Sequence, residues 1–271
     1  MRNSLKNLDY EHVDVVFCHR PDDDTPMEEI CRAYDWIIKK GWTFYWGTSE
    51  WNQDQIAEAH MVCEKYSLIK PVLEQPQYNI FVRDNMEVKY RRLFEQGRLG
   101  TTIWSPLASG VLTGKYNNGV PEGSRFDKNP DLIKILDRYF SGEKKEKTVA
   151  SLNKFSDLAK ELDCSMAQLA MAWVISNPDV STAITGASRV EQLKDTVKSL
   201  EVLPKLTAEV QKRIEDIFES QPTSKNDHKT FGPFPNRRRD VLKYWSESSC
   251  YHLILLKILF IQHAINKLSK K

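Results

Sequence analysis

Short apolar runs and amphipathic segments alternate along the first half of the chain. The apolar runs are rich in β-branched and aromatic residues, as strands are, and they recur at a constant interval of 29 residues. They begin at Asp14, Thr43, Val72 and Thr101. Between them, apolar residues have helical spacing, which predicts helices at about 25–41, 52–66 and 84–96. One strand followed by one helix therefore fills each interval.

This repetition predicts parallel strands joined by helical crossovers. A doubly wound sheet and a (β/α)8 barrel are both built in this way. Polar residues recur at or just beyond the strand ends, where a barrel would gather them on its C-terminal face. They are His19, Ser49, Gln75 and Ser105. Because no G-x-G-x-x-G fingerprint of a dinucleotide-binding doubly wound fold occurs, we expect an α/β barrel.

The second half of the chain predicts a long loop followed by further helices and one more strand. The loop runs from Lys115 to about Pro130, is rich in Gly, Pro and Asn, and has a length typical of functional loops. The elements expected after it are helices at 145–162 and 165–176, a strand at 180–188 and a helix at 189–200. Ser165 is expected to open the second of these helices and Ser188 to be the N-cap of the last.

The run from Trp104 to Tyr116 has a pattern typical of an anion-binding loop. A strand passes into a segment of small residues that ends in Lys115, and backbone N–H groups beside a lysine suit a phosphate. It is not a Walker A loop, because Gly110 and Gly114 are one residue too close together and Tyr116 replaces the Ser or Thr. The alternative is an ordinary strand-end turn with a solvated lysine.

Composition narrows the class of protein. A chain of 271 residues and 31.5 kDa can form one large domain, and its net charge of +2, without a basic stripe, argues against nucleic-acid binding. The five cysteines are scattered and never form C-x-x-C, so neither a disulfide framework nor a metal site is expected. With no signal peptide and no N-glycosylation acceptor, we expect a cytoplasmic protein without a transmembrane span.

Five blocks of sequence, taken in order, resemble the aldo-keto reductase superfamily, and within it the branch of voltage-gated potassium channel β-subunits. The resemblance runs from about Ser4 to Pro222. The blocks are Tyr10 to Asp22, Gly41 to Trp51, Glu74-Gln75, Trp104 to Tyr116 and Ile184 to Ser188. It implies a (β/α)8 barrel that binds NADPH at the C-terminal ends of its strands.

The resemblance also implies a cofactor site, residue by residue. Ser49 and Gln75 would hold the nicotinamide carboxamide, and Trp104 would stack on the ring. The segment Ser105, Pro106, Leu107, Ala108 and Ser109, together with Lys115, would line the pyrophosphate. Arg125, Gly186, Ser188, Gln192 and Asp195 would meet the adenosine and its 2′-phosphate. Asp195 and Thr196 differ from the Glu and Asn usual in this branch. Taken alone, Trp104 could instead be a core aromatic and Gln75 could complete a strand end.

Catalysis in this superfamily uses a tyrosine proton donor, a lysine and an aspartate, with a histidine or asparagine that orients the carbonyl. His19 stands at that last position; a structural histidine is the alternative. The other three belong to the family's first three strands, and we expect this chain to begin inside the helix before the fourth. With strands at 14, 43, 72, 101 and 181, the barrel is expected to be incomplete, from a truncated relative or an incomplete gene model.

The family region is expected at 1–222, and residues 223–271 depart from it. We expect this tail to be disordered or to form a short amphipathic helix. Its apolar run from Cys250 to Ile261 is split by Lys257 and is too short to cross a membrane. It could be read-through sequence or lie on a membrane surface.

Three functions stay open at this stage. The complete form would be an NADPH-dependent reductase of small aldehydes and ketones. Alternatively, the protein would be a cofactor-sensing subunit, as a homo-tetramer, docked on the cytoplasmic face of a potassium channel α-subunit. The third possibility is a fragment without function.

Overall fold

The computed structural model describes residues 1–97, 99–187 and 189–222, and over these ranges it contains five strands in one sheet. The strands are β1 (Val13–Cys18), β2 (Thr43–Thr48), β3 (Leu73–Glu74), β4 (Gly100–Ile103) and β5 (Thr182–Ala183). Each lies beside the next in chain order, and every pairing is parallel. A doubly wound sheet reverses its strand order at a switch point, and no reversal occurs among these strands. The fold is α/β, consistent with an incomplete (β/α)8 barrel, as predicted.

The strands β3 and β5 are shorter than the sequence predicts. Prolines at positions 71 and 76 flank β3, and proline has no N–H to donate to a neighbouring strand. Single hydrogen bonds nevertheless extend both pairings. Gln75 N donates to Thr48 O at 2.8 Å, and Ile184 N donates to Ile103 O at 2.8 Å.

Helices follow the strands as the periodicity predicts. They are α1 (Arg2–Leu8), α2 (Met27–Lys39), α3 (Gln53–Lys65), α4 (Arg91–Glu95), α5 (Arg125–Lys128), α6 (Lys134–Phe140), α7 (Lys144–Glu161), α8 (Met166–Ser176), α9 (Val190–Val197), α10 (Ser199–Val202) and α11 (Ala208–Phe218). A π-helix, Asn85–Lys89, precedes α4, and 3₁₀ helices lie at Ala108–Thr113, Pro130–Leu132 and Leu203–Lys205. Ser165 caps α8 as expected, since its side chain accepts a hydrogen bond from the N–H of Gln168.

Three local predictions need correction. The N-cap of α9 is Arg189, whose backbone is extended, so the helix starts one residue later than expected; Ser188 lies outside the described residues. The helix expected at 84–96 is divided between a π-helix and α4. The expected loop to Pro130 contains α5, because Ser124 caps a helical turn by accepting from the N–H of Asp127.

The core lies between the sheet and its helices. Trp46 of β2 is fully buried and stacks on Tyr34 of α2, with ring centroids 4.7 Å apart. The strand register puts Tyr45 and Ile184 on the opposite face, where they are 54% and 44% exposed. Across the described ranges, no helix has the combination of length and apolar character that crossing a membrane requires.

Candidate functional site

The carboxyl ends of three neighbouring strands bring together Ser49, Gln75 and Trp104. The hydroxyl of Ser49 donates to the carbonyl oxygen of Gln75 at 3.0 Å. Pro76, which directly follows Gln75, accepts a hydrogen bond at its carbonyl oxygen from Trp104 N at 3.1 Å. These three residues, far apart in the chain, therefore share one edge of the sheet, as expected of neighbouring parallel strands.

The side chain of Gln75 lies on the face of the sheet that is opposite Trp46. Its amide nitrogen is 3.4 Å from Thr102 Oγ1 on β4. Its amide oxygen has no hydrogen-bond partner within the described ranges and can accept one from a ligand. The contact with Thr102 therefore engages the amide nitrogen of Gln75 but not its amide oxygen. A purely structural role at the strand end would explain the nitrogen alone.

Arg20 joins the site in addition to the residues predicted from the sequence. Its Nη1 donates to Ser49 Oγ at 3.0 Å and to the carbonyl oxygen of His19 at 2.9 Å. The hydroxyl of Ser49 thus accepts from Arg20 and donates to Gln75, which leaves one acceptor position for a ligand N–H. The imidazole of His19 is exposed, with no hydrogen-bond partner among the described residues. The position of Arg20 directly after a strand-end histidine was the available signal.

Trp104 is only partly buried and is not one of the core aromatics. Its indole nitrogen donates to Glu50 Oε1 at 2.9 Å, and the same oxygen accepts from Gln77 N at 2.5 Å. Glu50 directly follows Ser49 and has a backbone φ of 60°, which is uncommon for a non-glycine residue. The sequence pattern gives no signal for a role of Glu50.

Left-handed backbone conformations concentrate at this edge of the sheet. In the described part of the chain, eight non-glycine residues have positive φ, and four of them are at helix C-termini or just beyond them. The other four follow β2 and β4: Glu50, Ser105, Ala108 and Ser109. Because strained backbone clusters at ligand-binding and catalytic sites, this concentration supports a binding role for the loop after β4.

Hydrogen bonds within the loop hold this turn closed. Ser105 Oγ accepts from Ser109 N at 3.0 Å, and Ser105 O accepts from Ala108 N at 3.0 Å. From outside the loop, Asn79 Nδ2 donates to the same carbonyl oxygen at 3.0 Å. Pro106 and Leu107 form the tip of this turn. The backbone is therefore fixed before any ligand arrives.

Lys115 folds back onto this turn at Gly110. A Cβ at Gly110, whose φ is 95°, would lie 2.9 Å from Lys115 Cε and 3.1 Å from Lys115 Nζ, so a larger residue here would displace the end of the lysine side chain. The ammonium of Lys115 has no carboxylate partner among the described residues. The ring of Tyr116 lies beside Gly110, and its hydroxyl is buried without a hydrogen-bond partner among the described residues. The Lys115 ammonium lies 4.8 Å from the ring centroid of Tyr116. A cation without a carboxylate partner in the described ranges, serine hydroxyls and a preformed turn fit a phosphate group.

Glu74 is a buried carboxyl group beneath the site. It is 0% exposed and accepts a hydrogen bond from Thr48 Oγ1. Burial raises its pKa to about 7 from the ordinary 4.5. Its Oε1 and the indole nitrogen of Trp51 are buried without partners among the described residues. A glutamate in the middle of an apolar run was the sequence signal.

The residues expected around the adenosine are more dispersed. Arg125 opens α5 and is exposed, Gly186 follows β5 and is exposed, and Gln192 lies in the first turn of α9. Asp195 is engaged with α8, because its carboxylate accepts from Gln168 Nε2 at 2.6 Å and from the hydroxyl of the α8 N-cap at 3.3 Å. The described residues include no group of three or more His, Cys, Asp or Glu side chains that could hold a metal ion.

The sequence pattern of the aldo/keto reductase family matches residues 1–219, most of the chain. The chain belongs to this family. Aldo/keto reductases generally use NAD(P)H, and the fold and the resemblance predicted from the sequence are both confirmed.

Three relatives carry a potassium channel β-subunit name. Two are called probable voltage-gated potassium channel subunit beta and are each 46% identical to this chain: one from Oryza sativa subsp. japonica over 226 residues, and one from Arabidopsis thaliana over 223 residues. A relative from Schizosaccharomyces pombe with the same subunit name is 44% identical over 219 residues. The matches cover 81–82% of this chain and 66%, 66% and 63% of the respective relatives. The chain thus spans about two thirds of their length.

Proposed function

We propose that this aldo/keto reductase chain binds NADPH at the carboxyl ends of its strands and, in the complete protein, reduces aldehydes and ketones. The observation that carries the proposal is the meeting of Ser49, Gln75 and Trp104 beside the left-handed turn on which Lys115 lies. NADPH, when bound, supplies a hydride. The chain's own residues bind and orient it.

To bind nicotinamide, the protein needs one hydrogen-bond acceptor and one donor for the carboxamide group and a flat surface for the ring. The Ser49 hydroxyl has one acceptor position left after its bonds to Arg20 and Gln75. The amide oxygen of Gln75 has no partner among the described residues, and one of its two amide N–H groups can donate to a ligand while the other keeps the long contact to Thr102. Trp104 is only partly buried, which leaves ring surface for stacking.

The phosphate end is positively charged and preformed. Lys115 would neutralise the pyrophosphate beside Ser105 and Ser109, in a turn that the bond from Ser109 N to Ser105 Oγ already holds. Arg125, Ser188 and Gln192 are proposed to meet the 2′-phosphate, and a charge-assisted bond from Arg125 would favour NADPH over NADH. Gly186 and Asp195 are proposed to lie beside the adenosine. Asp195 also accepts a hydrogen bond from Gln168 of α8.

His19 is proposed to orient the substrate carbonyl. Its exposed ring lies at the end of β1, next to Arg20 and therefore close to Ser49. An imidazole N–H can donate to a carbonyl oxygen and stabilise the negative charge that develops there. The tyrosine, lysine and aspartate that the resemblance assigns to proton transfer have no assigned positions in this chain.

Titration of the intact chain with NADPH tests the proposal. Tryptophan fluorescence should be quenched saturably, and the Trp104→Phe variant should lose much of the quenching, since its indole would lie nearest the ring. A chain with native circular dichroism that binds no NADPH would overturn the proposal.

A second function is supported by the names of the relatives. We propose, as the alternative, that the chain acts as a cofactor-sensing subunit on a voltage-gated potassium channel, with residues 1–222 as its folded region and in a homo-tetramer. Co-purification with the cytoplasmic domain of a channel, repeated with NADPH and with NADP⁺, tests it. An interaction that is absent under both conditions would remove this alternative.

A further inference from the structure

We propose that Glu50 is a positioning residue for Trp104: its carboxylate fixes the orientation of the indole ring over which the cofactor is proposed to bind. The inference rests on the proposed function for its consequence, and on two hydrogen bonds for its geometry. Glu50 Oε1 accepts from Trp104 Nε1 at 2.9 Å and from Gln77 N at 2.5 Å.

The backbone of Trp104 is already fixed on both sides. Trp104 N donates to Pro76 O at 3.1 Å, and Trp104 O accepts from Tyr78 N at 3.4 Å, in a parallel bridge that pairs Trp104 with Gln77. What stays free in such a residue is rotation about χ1 and χ2. The indole N–H is its single polar side-chain group, so the bond to Glu50 removes this rotation.

The backbone conformation of Glu50 places its carboxylate beside Trp104. Its left-handed backbone, with φ of 60°, turns the side chain at the end of β2 across to the segment after β3 and the end of β4. Strain of this kind persists only where surrounding contacts fix it, and the hydrogen bond from Gln77 N to Glu50 Oε1 is such a contact.

One oxygen of the Glu50 carboxylate therefore links the segments that follow β2, β3 and β4. A bond to an ionised acceptor is about twice as strong as a neutral one, and here it aims a flat ring that is only partly buried. A ring aimed in advance loses less conformational freedom on binding a ligand. Without Glu50, Trp104 would keep its place in the chain but not its orientation.

The primary experiment observes the indole N–H groups of the intact chain by nitrogen–proton NMR without cofactor. Trp104→Phe assigns the Trp104 signal by its disappearance. In Glu50→Ala this signal should move strongly towards the position of a free indole, and in Glu50→Gln only partly, because glutamine still offers an acceptor oxygen. Glu58→Gln, at an exposed position on α3, is the matched control and should leave it unchanged. An unmoved Trp104 signal in well-folded Glu50→Ala would overturn the proposal.

A double-mutant cycle separates positioning of the ring from simple support of Gln77. NADPH affinity should fall about tenfold in Glu50→Ala and less in Glu50→Gln. In the Trp104→Phe background, which keeps a ring but no N–H, Glu50→Ala should have little further effect. Equal losses in both backgrounds would show that Glu50 acts through the Gln77 amide and contradict the proposal. If the unmodified chain binds no NADPH, the proposed function fails, whereas the NMR result still decides the orientation of Trp104.

Discussion

The hydroxyl of Thr48 on β2 donates a hydrogen bond to the fully buried carboxyl group of Glu74 on β3. The two residues are also paired in the strand register. This contact lies directly beneath the loop that carries Ser49 and Glu50. A buried carboxyl group at the base of a binding loop makes the stability of that loop depend on pH.

The free energy of unfolding should fall as the pH rises from about 4.5 to 7, because of Glu74. Its pKa rises from 4.5 in the unfolded chain to about 7 in the folded one, chiefly by burial. The folded state therefore binds more protons in this interval, and deprotonation disfavours folding. Glu74→Gln should remove this part of the pH dependence and stabilise the chain at pH 8 by on the order of 3 kcal/mol.

Urea unfolding at a series of pH values measures this effect. Glu64→Gln, exposed on α3, is the control and should leave the pH profile as it is. Glu74→Gln with the same slope as the unmodified chain would show that the buried carboxyl group is not the one titrating.

Gly110→Ala should destabilise the loop after β4 by about 1–3 kcal/mol. The new Cβ would lie 2.9 Å from Lys115 Cε and 3.3 Å from a ring carbon of Tyr116, at a φ of 95°. Displacement of Lys115 should also weaken NADPH binding. Thermal unfolding and fluorescence titration measure the two effects.

Gly119→Ala is the matched control for this substitution. Gly119 has a similar positive φ of 111° but nothing within 4 Å of the added Cβ. It should cost only the backbone strain and leave NADPH binding unchanged. Equal effects of the two substitutions on binding would mean that the contact between Lys115 and Gly110 is unimportant.

Arg83→Gln should be severely destabilising, by about 3–5 kcal/mol. Arg83 is 7% exposed and its side chain donates to Glu87 at 2.8 Å and to Glu215 at 2.5 Å. It also lies 5.0 Å from the ring centroid of Trp173. Its loss would leave two carboxylates without their cation and release α11 from the π-helix. Arg213→Gln, which breaks an exposed pair with Glu161, should cost less than about 1 kcal/mol when both variants are unfolded in urea.

Arg125→Ala should reduce the preference for NADPH over NADH about ten- to a hundredfold, since a charge-assisted bond is lost. Affinity for NADH, which has no 2′-phosphate, should hardly change. Lys128→Ala, exposed at the other end of α5, is the control. Equal affinities for the two cofactors in the unmodified chain would contradict the assignment of Arg125.

Much of the fold was predictable because it depends on local patterns. The 29-residue interval located the first four strands, since side-chain periodicity follows directly from backbone geometry. Ser165 was identifiable as a helix cap because a cap acts within three residues. Arg189 and the short α5 were not, since several nearby residues can cap or start a helical turn and packing selects among them.

For the candidate site, the sequence determined which residue types follow each strand, and family resemblance gave them their proposed roles. Only the tertiary structure decided which of them touch. Trp104 and Glu50 are 54 residues apart, Arg20 and Ser49 are 29 apart, and Arg83 and Glu215 are 132 apart. Periodicity places a side chain on a face or at a strand end, but the partner of a hydrogen bond depends on strand register, on a left-handed turn such as that of Glu50, and on what burial excludes from water. Those are properties of the folded chain.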